Sequence, residues 1–140
     1  MKVEVFAICD AATEMMGKLN LLGAFDTLWA PRTPVVHQQC AIAARVRFDR
    51  IERGSHAVRL DIVDQDGKAI MPTLNGSVDV RIPDAVRSSV AHLIINIQQL
   101  KFDNFGEYVV NLAIDGRQEA SLPLFVRQQP ANSGGPAPAR

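Results

Sequence analysis

The chain has 140 residues, of which 47% are hydrophobic and 21% are charged, and its 15 basic residues balance its 15 acidic ones. This length and composition predict one globular domain that buries enough surface to fold without disulfide bonds. A net charge of zero argues against binding to nucleic acid or to an anionic membrane, because both need a surplus of positive charge. The chain has no apolar run of about 18 residues, so no membrane-spanning helix is predicted. Residues 1–10 lack a signal-peptide pattern, and the cytoplasm is therefore the predicted compartment.

The main structural signal is a period of two in the hydrophobic residues, which runs from Cys40 to Val126. This period is typical of β-strands that bury one face. We therefore predict an all-β fold, an antiparallel β-sandwich of about seven to nine strands with Greek-key or immunoglobulin-like topology. The predicted strands are residues 2–10, 18–24, 38–48, 56–64, 68–71, 74–82, 90–100, 107–114 and 118–127.

Turn residues predict how these strands are connected. Residues 11–17 are expected to form a loop or a short helical turn. Pro31 and Pro34 exclude a central strand and predict a loop that crosses between the sheets. The polar stretch 49–55 predicts a hairpin between the strands on either side of it. Asp115-Gly116 is the strongest two-residue hairpin signal in the chain.

The end of the domain carries two further signals. The single tyrosine, Tyr108, stands where a Greek-key sandwich places its tyrosine corner. Residues 1–127 are predicted to form one β-sandwich domain. Residues 128–140 are rich in Pro, Gly and Ala without a large apolar residue, and we predict that they form a disordered tail.

Two sets of residues are candidate metal ligands, and both are incomplete. His37 and Cys40 have the spacing of half a zinc site, but the second ligand pair that structural zinc needs is missing. The alternative is a loop histidine beside a buried thiol, as expected for a cysteine in a reducing compartment. Asp64 and Asp66, together with aspartates of other loops, would suit calcium if they met at one end of the sandwich. An Asp-x-Asp-Gly sequence is also ordinary turn chemistry.

An arginine-rich sheet face is the candidate anion site. Arg45, Arg47 and Arg59 are predicted to lie together on the outer face of one hairpin. Such a face would hold a phosphate or a carboxylate through paired N–H groups. The alternative is a solvated face with cross-strand ion pairs, for example between Arg45 and Asp61.

Apolar residues at strand positions that face away from the predicted core are candidates for a partner interface. Ile94, Val63, Val109 and Phe125 point away from the predicted core, and Trp29 flanks the proline-rich loop. If they cluster on the surface, they form an exposed patch that calls for a partner. The candidate interface residues are Trp29, Ile94 and Phe125.

No catalytic motif is present: the chain lacks a Gly-x-Ser-x-Gly elbow, a phosphate-binding glycine loop and a dinucleotide fingerprint. We therefore expect neither an enzyme nor a cofactor. The leading hypothesis is a non-enzymatic protein-binding or assembly module, with another protein or a second copy of the chain as partner, and with neither nucleic acid nor a membrane. The alternative is a module for a small ligand or an ion, calcium or an anion, that uses the loop aspartates or the arginine-rich face.

Several short motifs occur in a fixed order along the chain. The first are Ile8-Cys9-Asp10, Gly17-Lys18 and Gly23-Ala24-Phe25-Asp26, and the later ones lie at residues 63–68, 105–108, 115–116 and 122–126. Together they resemble a family of short bacterial proteins catalogued only as a domain of unknown function, over about residues 3–127. The resemblance implies a β-sandwich. It brings no known active site, so it assigns no catalytic residue here.

Overall fold

The computed structural model describes residues 1–130 of the protein. These residues form nine β-strands. The strands are β1 (Lys2–Met15), β2 (Lys18–Ala24), β3 (Thr27–Ala30), β4 (Val35–Asp49), β5 (Gly54–Val63), β6 (Leu74–Val80), β7 (Ser88–Phe102), β8 (Gly106–Ile114) and β9 (Arg117–Gln128). A single 3-10 turn, Arg50–Glu52, joins β4 to β5. The predicted all-β class is confirmed.

The strands are divided between two packed sheets. Sheet A has the order β2-β1-β4-β7, and sheet B has the order β3-β9-β8-β5-β6. Neighbouring strands are antiparallel, except that β3 runs parallel to β9. The predicted sandwich is therefore confirmed, with one parallel pair at an edge.

The core lies between the sheets and is built from the alternating residues of both. Ile42 of β4 packs in one cluster with Leu60 and Ile62 of β5, and Val46 and Phe48 pack in a second cluster with Val58 of β5 and Ile114 of β8. All are nearly inaccessible to solvent. Each fully buried side chain of this size contributes roughly 1.5–3 kcal/mol of transfer free energy. The apolar side chains at every second position therefore stabilise the packing of the two sheets.

The predicted hairpin across residues 49–55 is wrong. β4 pairs with β1 and β7 in sheet A, whereas β5 pairs with β6 and β8 in sheet B. The 3-10 turn carries the chain from one sheet to the other, so a polar stretch between two strands does not specify a hairpin. Residues 68–71, predicted as a strand, contribute only the isolated bridge between Val63 and Ala69.

The N-terminal hairpin is longer than predicted. β1 pairs with β4 as far as Cys9, and its second half, from Ala11 to Met15, pairs only with β2. The predicted loop at residues 11–17 is therefore mostly strand. Residues 27–30, outside the predicted strands, form β3 in the other sheet.

Two of the predicted turn signals are confirmed. Asp115 and Gly116 both have positive φ angles, 53° and 80°, which suit the tight hairpin between β8 and β9. The Tyr108 hydroxyl donates a hydrogen bond to the backbone oxygen of Asn104 at 2.5 Å, which forms the tyrosine corner. Burial raises the pKa of this hydroxyl, so it remains a donor.

Part of the predicted tail, residues 131–140, lies outside the described residues. Within residues 1–130, no helix is long and apolar enough to cross a membrane.

Candidate functional site

The free edge of β7 is a long unpaired edge of the sandwich. β7 is the last strand of sheet A and pairs with β4 along its whole length, from Ser88 to Phe102. Within residues 1–130 no strand pairs with its other edge. Residues 88–100 contain no Asp, Glu, Lys or Arg. An unpaired edge presents a row of backbone N–H and C=O groups that can bind another strand.

A cleft of about 530 Å³ lies beside this edge, between β7 and the β5–β6 pair. Its floor includes Val58 and Leu60 of the core, and Leu93 and Ile95 of β7 form one wall. Leu74 marks the β6 side and is 37% exposed. The cleft is therefore a gap between the edges of the two sheets, lined mostly by apolar side chains.

Gly76 lies in the middle of β6 and faces this cleft. It is the cross-strand neighbour of Val58, whose side chain is part of the core, so both positions share the inner face. Its φ angle is not in the left-handed region, and a Cβ atom built on it meets nothing within 4 Å. No feature of the backbone requires glycine here. The absence of a side chain keeps the cleft open.

Arg50 holds the β6–β7 connection. Its guanidinium donates hydrogen bonds to the backbone oxygens of Asp84 and Val86, at 2.9 and 3.0 Å. Its backbone N–H donates to the oxygen of Arg87. Ile82 of the same connection is buried. The connection is thereby held at the end of the strands and leaves the middle of β7 uncovered.

His56 holds the start of β5, next to β6. Its Nδ1 contacts the Asp115 carboxylate at 2.6 Å and its Nε2 contacts the backbone oxygen of Glu52 at 2.5 Å. Both partners are acceptors, so both hydrogen bonds form only when both ring nitrogens carry a proton, that is, with the charged imidazole. The Glu52 carbonyl and then Asp115 raise the pKa of His56, and His56 lowers the pKa of Asp115.

A chain of charged groups crosses the outer face of sheet A. The Nε atoms of Arg45 and Arg47 each donate to one oxygen of Glu4 at 2.8 Å. Hydrogen bonds from Arg47 and then Arg45 lower the pKa of Glu4 to about 2. Arg47 also donates to the hydroxyl of Ser88. The two arginines therefore already have an anionic partner.

The same chain of contacts fastens the β1–β2 hairpin over sheet A. Arg45 donates to Nε2 of His92 at 3.0 Å, and Nδ1 of His92 bonds to the carboxylate of Glu14. Because guanidinium has only donors, the His92 proton lies on Nδ1. β4 separates β1 from β7, so Glu14 reaches His92 only if the hairpin folds across β4. Ala41 and Ala43, fully buried on that face, leave room for it.

The predicted grouping of three arginines is wrong. Arg45 and Arg47 are on the outer face of sheet A, but Arg59 lies on β5 in sheet B. The suggested pair of Arg45 with Asp61 is also wrong, since Asp61 accepts a hydrogen bond from Asn111 within sheet B. The cause in both cases is the crossing between sheets that follows β4.

The predicted metal ligands are dispersed. Asp64 accepts hydrogen bonds from the backbone N–H groups of Asp66 and Lys68, both at 2.9 Å, which is turn chemistry. Asp115 lies at the other end of β8 from this turn. Cys40 is buried in the core, and burial raises the pKa of its thiol to about 11. His37 packs edge-on against Phe25. In the described part of the chain, no three His, Cys, Asp or Glu residues are arranged to hold a metal ion.

The predicted interface residues fall on two surfaces. Trp29 and Phe125 line one shallow pocket at the β3 edge of sheet B, where Arg127 stacks over the Phe125 ring at 4.7 Å. Val63 and Val109 are cross-strand neighbours on the same outer face. Ile94 lies on the free edge strand of the other sheet.

Sequence reasoning missed Gly76 as a part of the cleft. Asn75 and Gly76 lie inside the predicted strand 74–82 and are part of β6. A single glycine inside an alternating pattern is itself a signal, because glycine weakens a strand and often marks a close approach of another backbone. Glu4, Glu14 and His92 were also missed, since nothing in their spacing indicates that they meet.

Comparison with solved structures found a likeness of fold. The chain is similar to the Pseudomonas fluorescens alkylpurine DNA glycosylase AlkC bound to DNA containing an abasic site analog, with a TM-score of 0.50 and 10% sequence identity. The match covers 90% of this chain and 30% of that one. This chain therefore spans less than a third of the glycosylase. No curated protein matches the sequence.

The glycosylase corrects one prediction. Nucleic acid was excluded as a partner because the net charge is zero, and that exclusion is wrong. Part of a protein bound to DNA has a similar fold, so the fold does not exclude this class of partner. At this identity the likeness otherwise concerns the fold alone.

The family comparison agrees with the resemblance drawn from the motifs. The model of a family of unknown function, DUF6941, matches residues 4–127. No catalytic family is identified. The matched range runs from β1 into β9 and includes both edge strands of the cleft. The chain belongs to this family of unknown function.

Proposed function

We propose that this domain is a non-enzymatic protein-binding module and that its binding surface is the free edge of β7. The observation that carries the proposal is the length and the chemistry of that edge. β7 has 15 residues, and the charged side chains that native proteins use to protect an edge are missing from residues 88–100.

The other edge strands of the sandwich are at most half as long. β3 has four residues. β2 and β6 have seven residues each, and each carries a charged residue, Lys18 and Asp79. Short strands and edge charges both discourage pairing with other chains. On β7 the regular pattern continues until Gln99, whose positive φ of 54° interrupts it. The unprotected edge is therefore a long, uniform stretch, and a binding role explains why it is not guarded.

The proposal is tested with a panel of probes of different chemical classes. Fluorescence anisotropy would measure binding of labelled short peptides and of a DNA duplex, and thermal shift would measure the effect of calcium, zinc and phosphate. We expect at least one class of peptide to bind and the ions to leave the melting temperature unchanged. Binding of DNA or an ion, with no peptide bound, would overturn the proposal.

A matched pair of variants connects binding with the edge. Ile94→Lys places a charge on β7, and Val109→Lys places the same charge on the outer face of β8, a strand paired on both sides. We expect peptide binding to be lost in Ile94→Lys and retained in Val109→Lys. Equal binding by both variants would contradict the assignment to β7.

A further inference from the structure

We infer that the cleft between β6 and β7 accepts an extended segment of another protein as an additional strand, uncharged and with branched apolar side chains at alternate positions. This inference rests on the proposed function. It adds the chemistry of the partner's side chains and the position at which the partner binds.

The unpaired backbone groups of β7 favour an extended strand as the ligand of the cleft. In an antiparallel sheet every second residue directs its N–H and C=O away from its paired neighbour. β4 satisfies one set of these groups along β7, and the other set faces the cleft side without a strand partner in residues 1–130. A helix or a small apolar ligand offers no matching row of donors and acceptors. An extended peptide does.

The cleft specifies the side chains of that strand. A strand added beside β7 directs alternate side chains inward, between the sheets, and the others outward. The inward ones meet Leu60, Leu93 and Ile95, which are apolar. Of the residues that line the cleft, His92 alone is titratable, and it is engaged by Arg45 and Glu14. A charged inward side chain would find no counter-charge, so the partner is uncharged at those positions.

Gly76 is the second, independent observation. A glycine in the middle of a strand weakens that strand unless a neighbouring backbone or ligand needs the space. Here the space is present and empty, since an added Cβ meets nothing within 4 Å. Gly76 faces the same cleft as Leu60 and Leu93. Its position on the inner face of β6 places this space across the cleft from Leu93 and Ile95 of β7.

The probe for this inference is a labelled peptide of about nine residues, the length of a common strand, in which valine and threonine alternate. A scrambled peptide of the same composition is its control. We expect the alternating peptide to bind the full chain at least about tenfold more tightly than the scrambled one. Hydrogen exchange should show new protection of the amides in residues 88–98.

Gly76→Val is the variant that tests whether the peptide binds in the cleft. Its side chain fills the cleft and suits a strand, so the protein should fold, which its melting temperature would verify. We expect the affinity for the alternating peptide to fall by about tenfold or more. Unchanged affinity, or protection appearing outside β7, would overturn the inference.

The remaining outcomes separate this inference from the proposed function. If peptides bind but Gly76→Val has no effect, the protein-binding proposal stands and the cleft is not the site. If no peptide of any sequence binds, the proposed function fails as well. If light scattering shows a dimer and hydrogen exchange shows residues 88–98 already protected in it, β7 pairs with a second copy and the inference is overturned.

Discussion

The two lateral sides of the sandwich are built differently. On one side, where β2 and β3 are the edges, the chain itself passes between the sheets. Phe25 donates a backbone hydrogen bond to Ile8 of sheet A at 3.0 Å, and Phe125 of sheet B donates one to Asp26 at 2.7 Å. On the other side, β6 and β7 leave a cleft of about 530 Å³. We call these the closed side and the open side.

The difference shows what seals a sandwich. On the closed side, two consecutive residues bond to both sheets, so the crossing segment acts as a bridge along the strands. On the open side the chain also crosses, between β6 and β7, but Arg50 holds that connection at the ends of the strands. The middle of the open side therefore has neither a bridge nor a strand, although its floor is as apolar as the rest of the core.

The largest expected effect comes from one buried leucine on each side. Leu28→Ala on the closed side and Leu60→Ala at the floor of the cleft should each destabilise the fold, by about 2–5 kcal/mol. We expect Leu60→Ala to cost less, because its cavity joins an open cleft that water can enter. Urea unfolding would measure both. A larger cost for Leu60→Ala would mean that the open side is as tightly packed as the closed one.

The next effect concerns the charged His56, which holds the strand pair of the open side. His56→Ala should lower stability by roughly 1 kcal/mol near pH 6 through the loss of hydrogen bonds to a charged group. The pKa of His56 is raised in the fold, so its contribution is complete below the ordinary value of 6.5 and is lost as the pH rises through the folded pKa. The difference between wild type and variant should therefore shrink from pH 6 to pH 9.

The cost that persists at pH 9 has a separate cause. His56 packs against Phe48, with ring centroids 4.9 Å apart, and this contact does not need the charge. Thermal unfolding at several pH values would measure both parts. A difference that grows with pH would contradict the assigned charge state.

A smaller, opposite effect is expected at Gly76. Gly76→Ala should stabilise the protein by about 0.5–1 kcal/mol, since alanine is favoured over glycine in a strand and its Cβ meets open space. The matched control is Gly116→Ala, where a φ of 80° makes the same change destabilising. Melting temperatures of the two variants should shift in opposite directions. A loss of stability at Gly76 would show that the open side has no room.

The smallest effect is local and concerns the β1–β2 hairpin. Glu14→Gln weakens the charged contact with His92 that fastens the hairpin over sheet A. We expect faster amide exchange in residues 11–22 with little change in global stability, because the glutamine amide oxygen can still accept the hydrogen bond from Nδ1 of His92 but without the negative charge. Exchange that remains unchanged would mean that packing on Ala41 and Ala43 is sufficient.

The architecture was predictable because it depends on local chemistry. The alternation in β4, β5 and β8 reports burial on one face, and Asp115-Gly116 and Tyr108 report turns whose geometry lies within a few residues. The hairpin across residues 49–55 was not predictable, because a polar turn is compatible with both a hairpin and a sheet crossing. The grouping of Arg59 with Arg45 and Arg47 failed for the same reason.

By itself, the sequence determined the β-sandwich and most of its strands, because hydrophobic period and turn chemistry are properties of neighbouring residues. Its motifs also indicated the family to which the chain belongs. The tertiary structure alone decided that β7 is an edge, that Gly76 faces an empty cleft and that Glu14 meets His92. These features depend on which strands pair and in which order, and that order is set by packing between residues far apart in the chain.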